Sequence, residues 1–228
     1  MKLFSIFAVI TMLTLNMHAQ SFQLDDPNNI YKSEQGVVLE RNKVKALISQ
    51  GSFSMKSRKL QNGKTEIIII PIAEKEIAKQ KNITEAWIER WKGKKLPDFE
   101  LKTLKNQLVS SSDLKNKLVV MNFWFIACKP CVNEMPELNR LVEKYKDEQI
   151  AFLAPSFDNE PSLIAFSKHT TFDYTILVNA KDVIQEMNIS SYPTHLIIDR
   201  NGVIREILIG GSTHIYKNID ELIQKLKL

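Results

Sequence analysis

The sequence predicts an α/β protein, in which a central sheet with helices on its faces makes up the C-terminal part of the chain. From about residue 118 onward, apolar runs of strand length alternate with segments of helical periodicity, the pattern of a mixed or parallel sheet covered by helices. Residues 118–125 are apolar at nearly every position, as expected of a central strand buried on both faces. Cys128 and Cys131 directly follow this strand. A strand that leads through a pair of cysteines into a helix is therefore the centre of the predicted domain.

The other elements of this domain follow from periodicity and from turn residues. Helical spacing of apolar residues indicates helices over 129–146, 160–168, 182–187 and 215–228, the last of them amphipathic. Short apolar runs indicate strands over 149–155 and 174–178. The turn Arg200-Asn201-Gly202 separates two further runs, 195–199 and 203–209, and predicts a hairpin.

The start of the chain has the proportions of a signal peptide. Lys2 provides a positive charge, and residues 3–15 form an apolar stretch shorter than the roughly 20 residues that a spanning helix needs. Ala19 supplies a small residue before a cleavage point. Residues 1–19 are therefore predicted to be a signal peptide, so that the mature chain is exported. A retained N-terminal anchor is the alternative, and only in that case do we expect the protein to associate with a membrane.

Residues 20–95 are predicted to form a small α+β region of unknown role. A helix is expected over 39–48, and one or two helices are expected over 73–91. Between them, Asn62-Gly63 separates two strand-like runs and predicts a hairpin, because Asn-Gly adopts positive φ angles at low cost.

A domain boundary is expected near residue 95. Residues 91–98 are charged and contain Gly93 and Pro97, which is typical of a linker. The residues that follow, 96–228, are enough for one domain with a well-buried core.

Composition argues against several classes of function. The 228 residues are 44% hydrophobic and carry a formal charge of +5, which is ordinary for a globular protein. The lysines are not combined with an arginine and aromatic groove, so a solvated basic surface is favoured over nucleic-acid binding. No metal or other cofactor is predicted, because structural zinc would need two more regularly spaced ligands beside the cysteines. The four histidines are scattered instead: His18, His169, His195 and His214.

The two cysteines of the chain are best explained as a reversible dithiol. A disulfide between Cys128 and Cys131 would close a loop of only two residues, which constrains the unfolded chain very little, so it would be a poor structural crosslink. The first sulfur would lie at a helix N-terminus, where unpaired amides and the helix dipole stabilise a thiolate. This pairing of cysteines predicts thiol–disulfide chemistry.

Residues 97–228 resemble the thioredoxin fold, and specifically the exported thiol–disulfide oxidoreductases of the TlpA/ResA type. A helix–strand insertion between residues 156 and 180 resembles the one that separates this group from plain thioredoxins. The motifs that carry the resemblance are Asn122-Phe123-Trp124, Cys128-Lys129-Pro130-Cys131, Pro136, Ser191-Tyr192-Pro193-Thr194 and Asp199-Arg200-Asn201-Gly202. The first 95 residues lie outside it.

The resemblance implies a role for each residue of the cysteine motif. Cys128 is the expected nucleophile, which attacks a partner disulfide and forms a mixed disulfide. Cys131, one turn into the helix, is expected to be more buried and to resolve that intermediate. Lys129 is either a solvated side chain or a positive charge that favours the Cys128 thiolate. Pro130 suits the first helical turn, where a missing N–H has no cost.

Four further residues are considered for the surroundings of the dithiol. Pro193 resembles the cis-proline of this fold, and the residue before it, Tyr192, is expected to offer backbone hydrogen bonds to an extended substrate segment. Trp124 is expected to be a core and site-wall aromatic with a part in substrate binding. His195, two residues past Pro193, is expected to point along the strand into packing or solvent.

Glu134 is a candidate for proton transfer. It shares a helical stripe with Leu138 and Leu141, and it follows Cys131 by three residues. Thioredoxins proper have a buried Asp at the position of Asn122, whereas Glu134 matches the helix glutamate of the TlpA/ResA group. A carboxylate there could accept or return the proton of Cys131. The alternative is an exposed glutamate that only suits the helix dipole.

The function that the resemblance implies is the reduction of disulfides in exported partner proteins, in the periplasm of a bacterium. Some members of this kind keep apocytochrome cysteines reduced. A membrane electron donor would be needed, because the periplasm is kept oxidising. The alternatives are a disulfide oxidase or isomerase, a copper-delivering thioredoxin-fold protein, and a non-catalytic binding module.

Overall fold

The computed structural model describes residues 26–49 and 53–227. The chain divides into two compact units, of which one ends at Ile83 and the other begins at Thr84. The predicted signal peptide, residues 1–19, lies outside the described residues. Within the described residues, no helix is both long enough and apolar enough to cross a membrane.

The first unit contains a three-stranded sheet. Strand β3 lies in the middle, parallel to β1 on one side and antiparallel to β2 on the other. The β2–β3 pair is the hairpin predicted around Asn62-Gly63, and Gly63 has the positive φ of 78° that this turn requires. The elements of this unit are β1 (Asn29–Ser33), α1 (Arg41–Ser49), β2 (Phe53–Lys59), β3 (Thr65–Pro71) and the first part of α2 (Glu74–Trp91).

The second unit contains a seven-stranded mixed sheet with the order β10-β9-β6-β7-β8-β4-β5. Strands β6, β7 and β8 run parallel, while β9, β10 and β4 are antiparallel to their neighbours. This is the thioredoxin fold with the expected helix–strand insertion, α4 and β8. Its elements are β4 (Glu100–Thr103), β5 (Leu108–Ser110), a 3₁₀ helix (Ser111–Leu114), β6 (Leu118–Phe123), α3 (Lys129–Lys144), β7 (Ile150–Pro155), α4 (Glu160–Ser167), β8 (Thr175–Val178), α5 (Lys181–Glu186), β9 (Thr194–Ile198), β10 (Ile204–Ile209) and α6 (Ile215–Lys227).

Strand β6 is buried at all six positions, as predicted for a central strand. Its side chains alternate between two cores, because successive residues of a strand point to opposite faces of the sheet. Leu118 and Val120 face the core beneath α3, whereas Val119, Met121 and Phe123 face the core on the other side. The functional region begins where this strand ends.

The segment predicted to be a linker is hydrogen-bonded to the second unit. Gly93 N–H donates to the carbonyl of Ile204 over 2.7 Å, and Leu96 N–H donates to the carbonyl of Gly202 over 2.9 Å. The end of α2 also packs on this unit, since the indole N–H groups of Trp87 and Trp91 both donate to the carbonyl of Met187. The structural division therefore falls earlier than residue 95, within α2.

Strands β1, β4 and β5 were not expected from the sequence. All three are short edge or near-edge strands, and β4 and β5 have exposed polar or apolar positions, such as Leu108, which is 59% exposed. The sequence of such a strand shows neither a continuous apolar run nor a clear alternation of apolar and polar residues, because only some of its side chains are buried.

A partly exposed hydrogen-bond network joins the end of α3 to α6. Lys144 and the hydroxyl of Tyr145 both donate to one carboxylate oxygen of Asp220, and Gln224 donates to the Tyr145 hydroxyl over 2.9 Å. Burial opposes the charge of Asp220, but the hydrogen bonds from Lys144 and Tyr145 outweigh burial and lower the pKa of Asp220. Burial and the bond to Asp220 raise the pKa of Tyr145 to about 12.

Asp220→Asn tests this network through its pH dependence. A carboxyl whose pKa is lowered by folding contributes stability above its unfolded pKa of about 3.9, and that stability is lost as pH falls through the folded pKa. We expect Asp220→Asn to reduce the free energy of unfolding by about 1–2 kcal/mol at neutral pH. The difference from wild type should shrink towards zero near pH 2, in urea titrations at both pH values.

Glu221→Gln is the matched control for this change. Its side chain is 64% exposed and lies 3.7 Å from Lys217, so the substitution should alter stability by no more than about 0.5 kcal/mol. A loss in Asp220→Asn that is equally large at both pH values would contradict a role for the ionised carboxylate.

Candidate functional site

The two cysteines form a disulfide at the start of α3. Cys128 caps the helix, and its Sγ accepts the backbone N–H of Cys131 over 3.3 Å. Cys128 is 5% exposed and Cys131 is fully buried, so the first sulfur is the one nearer to solvent. Pro130 lies in the first helical turn, where no intrahelical donor is lost.

The loop between β6 and α3 is fixed by hydrogen bonds on both sides. Cys128 N–H donates to the carbonyl of Phe125 over 3.0 Å, which forms a turn just before the disulfide. Ile126 N–H donates to a carboxylate oxygen of Asp158 over 2.7 Å, and the Ser156 hydroxyl donates to the same oxygen over 3.0 Å. This carboxylate therefore connects the loop after β6 with the loop after β7, and it holds the cysteine loop in place.

The peptide bond between Tyr192 and Pro193 is cis. The Pro193 carbonyl accepts the N–H of Gly210 over 2.8 Å, which ties this turn to the end of β10. Neither backbone polar group of Tyr192 is hydrogen-bonded to another residue of the described part of the chain. Binding of an extended substrate segment by these two groups stays a prediction.

An aromatic cluster adjoins the cysteine loop. Phe125 stacks on Phe157 with ring centroids 5.1 Å apart, and the Tyr192 ring meets Phe125 edge-on at 5.2 Å. All three side chains are only partly buried. Burial raises the pKa of Tyr192, so its phenol stays neutral at physiological pH. The cluster gives the site an uncharged, aromatic rim.

Trp124, by contrast, is fully buried. Its ring packs against Phe166 and Phe172, and its indole N–H donates to the carbonyl of Ala154 over 3.3 Å. We therefore assign Trp124 to the wall behind the disulfide. The contact with substrate that the sequence suggested for it is not available, because no part of the ring reaches the surface.

Glu134 is buried beneath the site, with 2% of its side chain exposed. One carboxylate oxygen, Oε1, accepts the backbone N–H of Ser212 over 2.6 Å. The other, Oε2, lies 3.1 Å from Nε2 of His195. Of the two interpretations of this residue, the structure therefore excludes the exposed glutamate that would only suit the helix dipole.

His195 lies in packing, one of the two surroundings expected for it, but its contact with a carboxylate was not expected. The side chain is fully buried, and Nε2 lies 3.1 Å from a carboxylate oxygen of Glu134. His195 pairs with Asn122 across strands β9 and β6, so both side chains point to the face that carries α3. Because strand pairing cannot be read from residue spacing along the chain, only the polar residue Asn122 within an otherwise apolar strand hinted at a buried polar site.

Four buried polar atoms near this site have no hydrogen-bond partner among the described residues. They are both side-chain atoms of Asn122, Nδ1 of His195 and the hydroxyl of Tyr174. Burial, and then the charge of Glu134, raise the pKa of Tyr174 well above its usual value. In the part of the chain that the structure describes, no three His, Cys, Asp or Glu residues are grouped so that they could hold a metal ion.

Comparison with known proteins places this geometry in a family. The model of the AhpC/TSA family matches residues 92–207. The thioredoxin-like protein YneN of Bacillus subtilis is 38% identical over 140 residues, which cover 60% of this chain and 79% of that protein. The thiol-disulfide oxidoreductase ResA of Geobacillus kaustophilus is 33% identical over 138 residues, covering 59% of this chain and 78% of ResA.

The chain belongs to the AhpC/TSA family. Within it, the protein is a thiol–disulfide oxidoreductase of the TlpA/ResA type. The solved structures agree: a crystal structure described as a putative thiol:disulfide interchange protein DsbE from Chlorobium tepidum superposes with a TM-score of 0.56 at 26% identity. The match covers 59% of this oxidoreductase and 96% of that structure.

The loop before α6 of the oxidoreductase approaches α3 so closely that one position requires glycine. A methyl group on Gly211 would lie 2.9 Å from Cβ of Pro130 and 3.7 Å from Oε1 of Glu134. Real Cβ atoms essentially never come as near as the first of these distances. The close approach is what brings the N–H of the next residue, Ser212, to the Glu134 carboxylate.

Gly211→Ala tests the close approach of this loop. The added methyl group must displace either the loop or Pro130, and overpacking of this kind reduces the free energy of unfolding by about 1–3 kcal/mol. Urea unfolding of the oxidised protein measures the loss. Thr213→Ala, at an exposed position of the same loop, should stay within about 0.5 kcal/mol of wild type. Equal stabilities of the two variants would show that the loop accepts the methyl group freely.

Proposed function

We propose that this oxidoreductase reduces disulfides of exported partner proteins through the Cys128–Cys131 dithiol. The observation that carries the proposal is the unequal burial of the two cysteines, together with a buried carboxylate, Glu134, three residues beyond Cys131 in α3. An attacking sulfur needs access to a partner, whereas a resolving sulfur acts only inside the enzyme and needs a group that takes its proton.

The reaction begins with the reduced enzyme. The Cys128 thiolate attacks one sulfur of the partner disulfide, an S–S bond forms between enzyme and partner, and the other partner sulfur leaves as a thiolate that takes a proton from solvent. Cys131 then loses its proton to Glu134 and attacks Cys128. The enzyme disulfide forms, the mixed disulfide breaks, and the second partner sulfur leaves and is protonated. Two electrons have passed from the enzyme to the partner.

Residues around the dithiol would bind the partner during this exchange. The free backbone groups of Tyr192, beside cis-Pro193, would hold an extended segment of the partner next to Cys128. The uncharged rim of Phe125, Phe157 and Tyr192 favours segments with apolar side chains near the disulfide. Apocytochromes with oxidised cysteines are one candidate class of partner.

The location of this activity is part of the proposal. The signal-peptide pattern of residues 1–19 supports export to the periplasm, with an uncleaved membrane anchor facing the periplasm as the alternative. An exported reductant must itself be reduced again, because the periplasm is kept oxidising, so a membrane electron donor is required. No role is assigned to the first structural unit.

The reduction potential of the Cys128–Cys131 couple tests the direction of electron flow. We expect a value near or below about −250 mV when the mature protein is equilibrated with defined thiol buffers, as for thioredoxin-like reductants. A value of about −120 to −180 mV would instead favour a disulfide oxidase or isomerase. Failure to form the disulfide in any buffer would contradict the redox assignment and would favour the alternative of a copper-delivering protein.

Single cysteine variants test the order of the two sulfurs and separate an enzyme from a binding module. Cys131→Ser should still attack a model disulfide but should accumulate the mixed disulfide, because nothing resolves it. Cys128→Ser should lose catalysed exchange altogether while it still binds partners. Mass spectrometry of the trapped adduct provides the measurement. Adduct formation by Cys128→Ser, but not by Cys131→Ser, would reverse the assignment.

A further inference from the structure

His195 and Glu134 form a pair of ionisable groups that is buried on all sides. The side chain of His195 is fully buried, that of Glu134 is 2% exposed, and Nε2 lies 3.1 Å from Oε2. The two residues come from different elements, strand β9 and helix α3, so the contact depends on the fold and not on local sequence. Buried ionisable side chains of this kind are rare unless they are paired.

We propose that His195 is a positioning residue that holds the Glu134 carboxylate and shares with it the proton given up by Cys131. The proposal rests on the proton-transfer role proposed above for Glu134, and it adds a second residue to that step.

The hydrogen bond between the two side chains can exist in both protonation states of the pair. When Glu134 is ionised and His195 is neutral, Nε2–H donates to Oε2. When one proton is added, either Nε2–H of an imidazolium still donates to Oε2, or a protonated Oε2 donates to Nε2. The pair can therefore accept and return one proton without rearranging the 3.1 Å contact.

The second ring nitrogen of His195 has a polar residue, Asn122, as its neighbour on the adjacent strand. Protonation places a hydrogen on Nδ1, which has no partner among the described residues. Asn122 stands directly opposite His195 on β6, and its side-chain oxygen is likewise unpartnered and buried. The two atoms are not hydrogen-bonded to each other in this structure, so Nδ1–H of a protonated His195 would reach the amide oxygen only after a shift of one of the two side chains.

The other groups that face the pair do not compete for the proton. Ser212 contributes a backbone N–H, which can only donate to Glu134. The phenol of Tyr174 is fully buried and has its pKa raised well above its usual range, so it stays protonated. On the neighbouring strand β10, the residue in register with His195 is the apolar Leu208. Cys131 is thus the group on α3 that exchanges a proton with the pair.

The proposed step balances in atoms and charge. As Cys131 attacks Cys128 in the mixed disulfide, its proton moves to the pair, the enzyme S–S bond forms and the bond to the partner breaks. The departing partner thiolate, or solvent, then receives the proton back. The pair ends in its starting state, and no further oxidant or reductant is needed.

Two-phase kinetics with dithiobis(nitrobenzoate), a small aromatic disulfide, can test the proposal. Attack by Cys128 on this probe releases one coloured thiolate, and attack by Cys131 on the resulting mixed disulfide releases a second. In wild type we expect the second phase to change less than about twofold between pH 6 and pH 8, because the pair removes the proton. The variants are His195→Leu, which removes the contact, and His195→Gln, which keeps a donor to Glu134 but cannot hold a proton.

We expect both His195 variants to slow the second phase at least about tenfold at pH 6 and to regain rate as pH rises, because Cys131 must then lose its proton to solvent. The first phase should change less than about twofold in both. Ile198→Val, a conservative change on the opposite face of β9, is the control for strand packing and should leave both phases unchanged. Thermal melts establish that each variant is folded.

Other kinetic results would separate the role of His195 from the roles of Glu134 and Cys128. A second phase in His195→Gln that matches wild type would overturn proton sharing and leave His195 as a simple donor. Wild-type kinetics in both His195 variants, together with a slow second phase in Glu134→Gln, would overturn this proposal while the function proposed for Glu134 stands. Wild-type kinetics in Glu134→Gln would overturn both. Absence of a first phase in wild type would contradict the nucleophilic role of Cys128 itself.

Discussion

The burial of β6 on both faces is the constraint on which the rest of the second unit depends. A strand with apolar side chains on both sides can lie only in the middle of a sheet that is covered by helices on each face. Its end is therefore fixed by two cores at once, and the disulfide begins five residues after Phe123. The redox centre gains its rigidity from this strand, since the two cysteines themselves close a loop of only two residues.

Polar side chains at the ends of these apolar strands and in helix α3 determine the chemistry that is possible around the disulfide. Two carboxylates near the cysteines have different surroundings: Asp158 binds the loop in front of Cys128, while Glu134 follows Cys131 by three residues in α3 and accepts the N–H of Ser212. Asp158 is bound by two donors that hold the loop, and this is a structural role. Glu134 is bound by one backbone donor and one ionisable side chain, His195, and this contact is the basis of the proton-transfer role that we propose for it.

The central part of this structure could be predicted from the sequence because its signals are local. The buried run of β6, the cysteine motif and the helix that follows are contiguous, and the predicted bounds of the later helices and strands differ from the observed ones by only one or two residues. Strands β1, β4 and β5 could not be predicted because pairing at a sheet edge needs little burial, so the sequence of such a strand shows no clear apolar pattern. The contact of His195 could not be predicted because its partner, Glu134, lies 61 residues away in the chain. The periodicity of a sequence gives no information on a contact between a strand and a distant helix.

The two tryptophans at the end of α2 have a consequence for where the catalytic unit can be cut. Trp87 and Trp91 donate to the same carbonyl, that of Met187, and both pack with Ile88 on one of the two cores of the second unit. A protein shortened to begin at residue 96, where the sequence predicts that the domain starts, would uncover that apolar surface and expose it to aggregation. The smallest stable form of the enzyme should instead begin at about residue 84, so that the last two turns of α2 still cover this core.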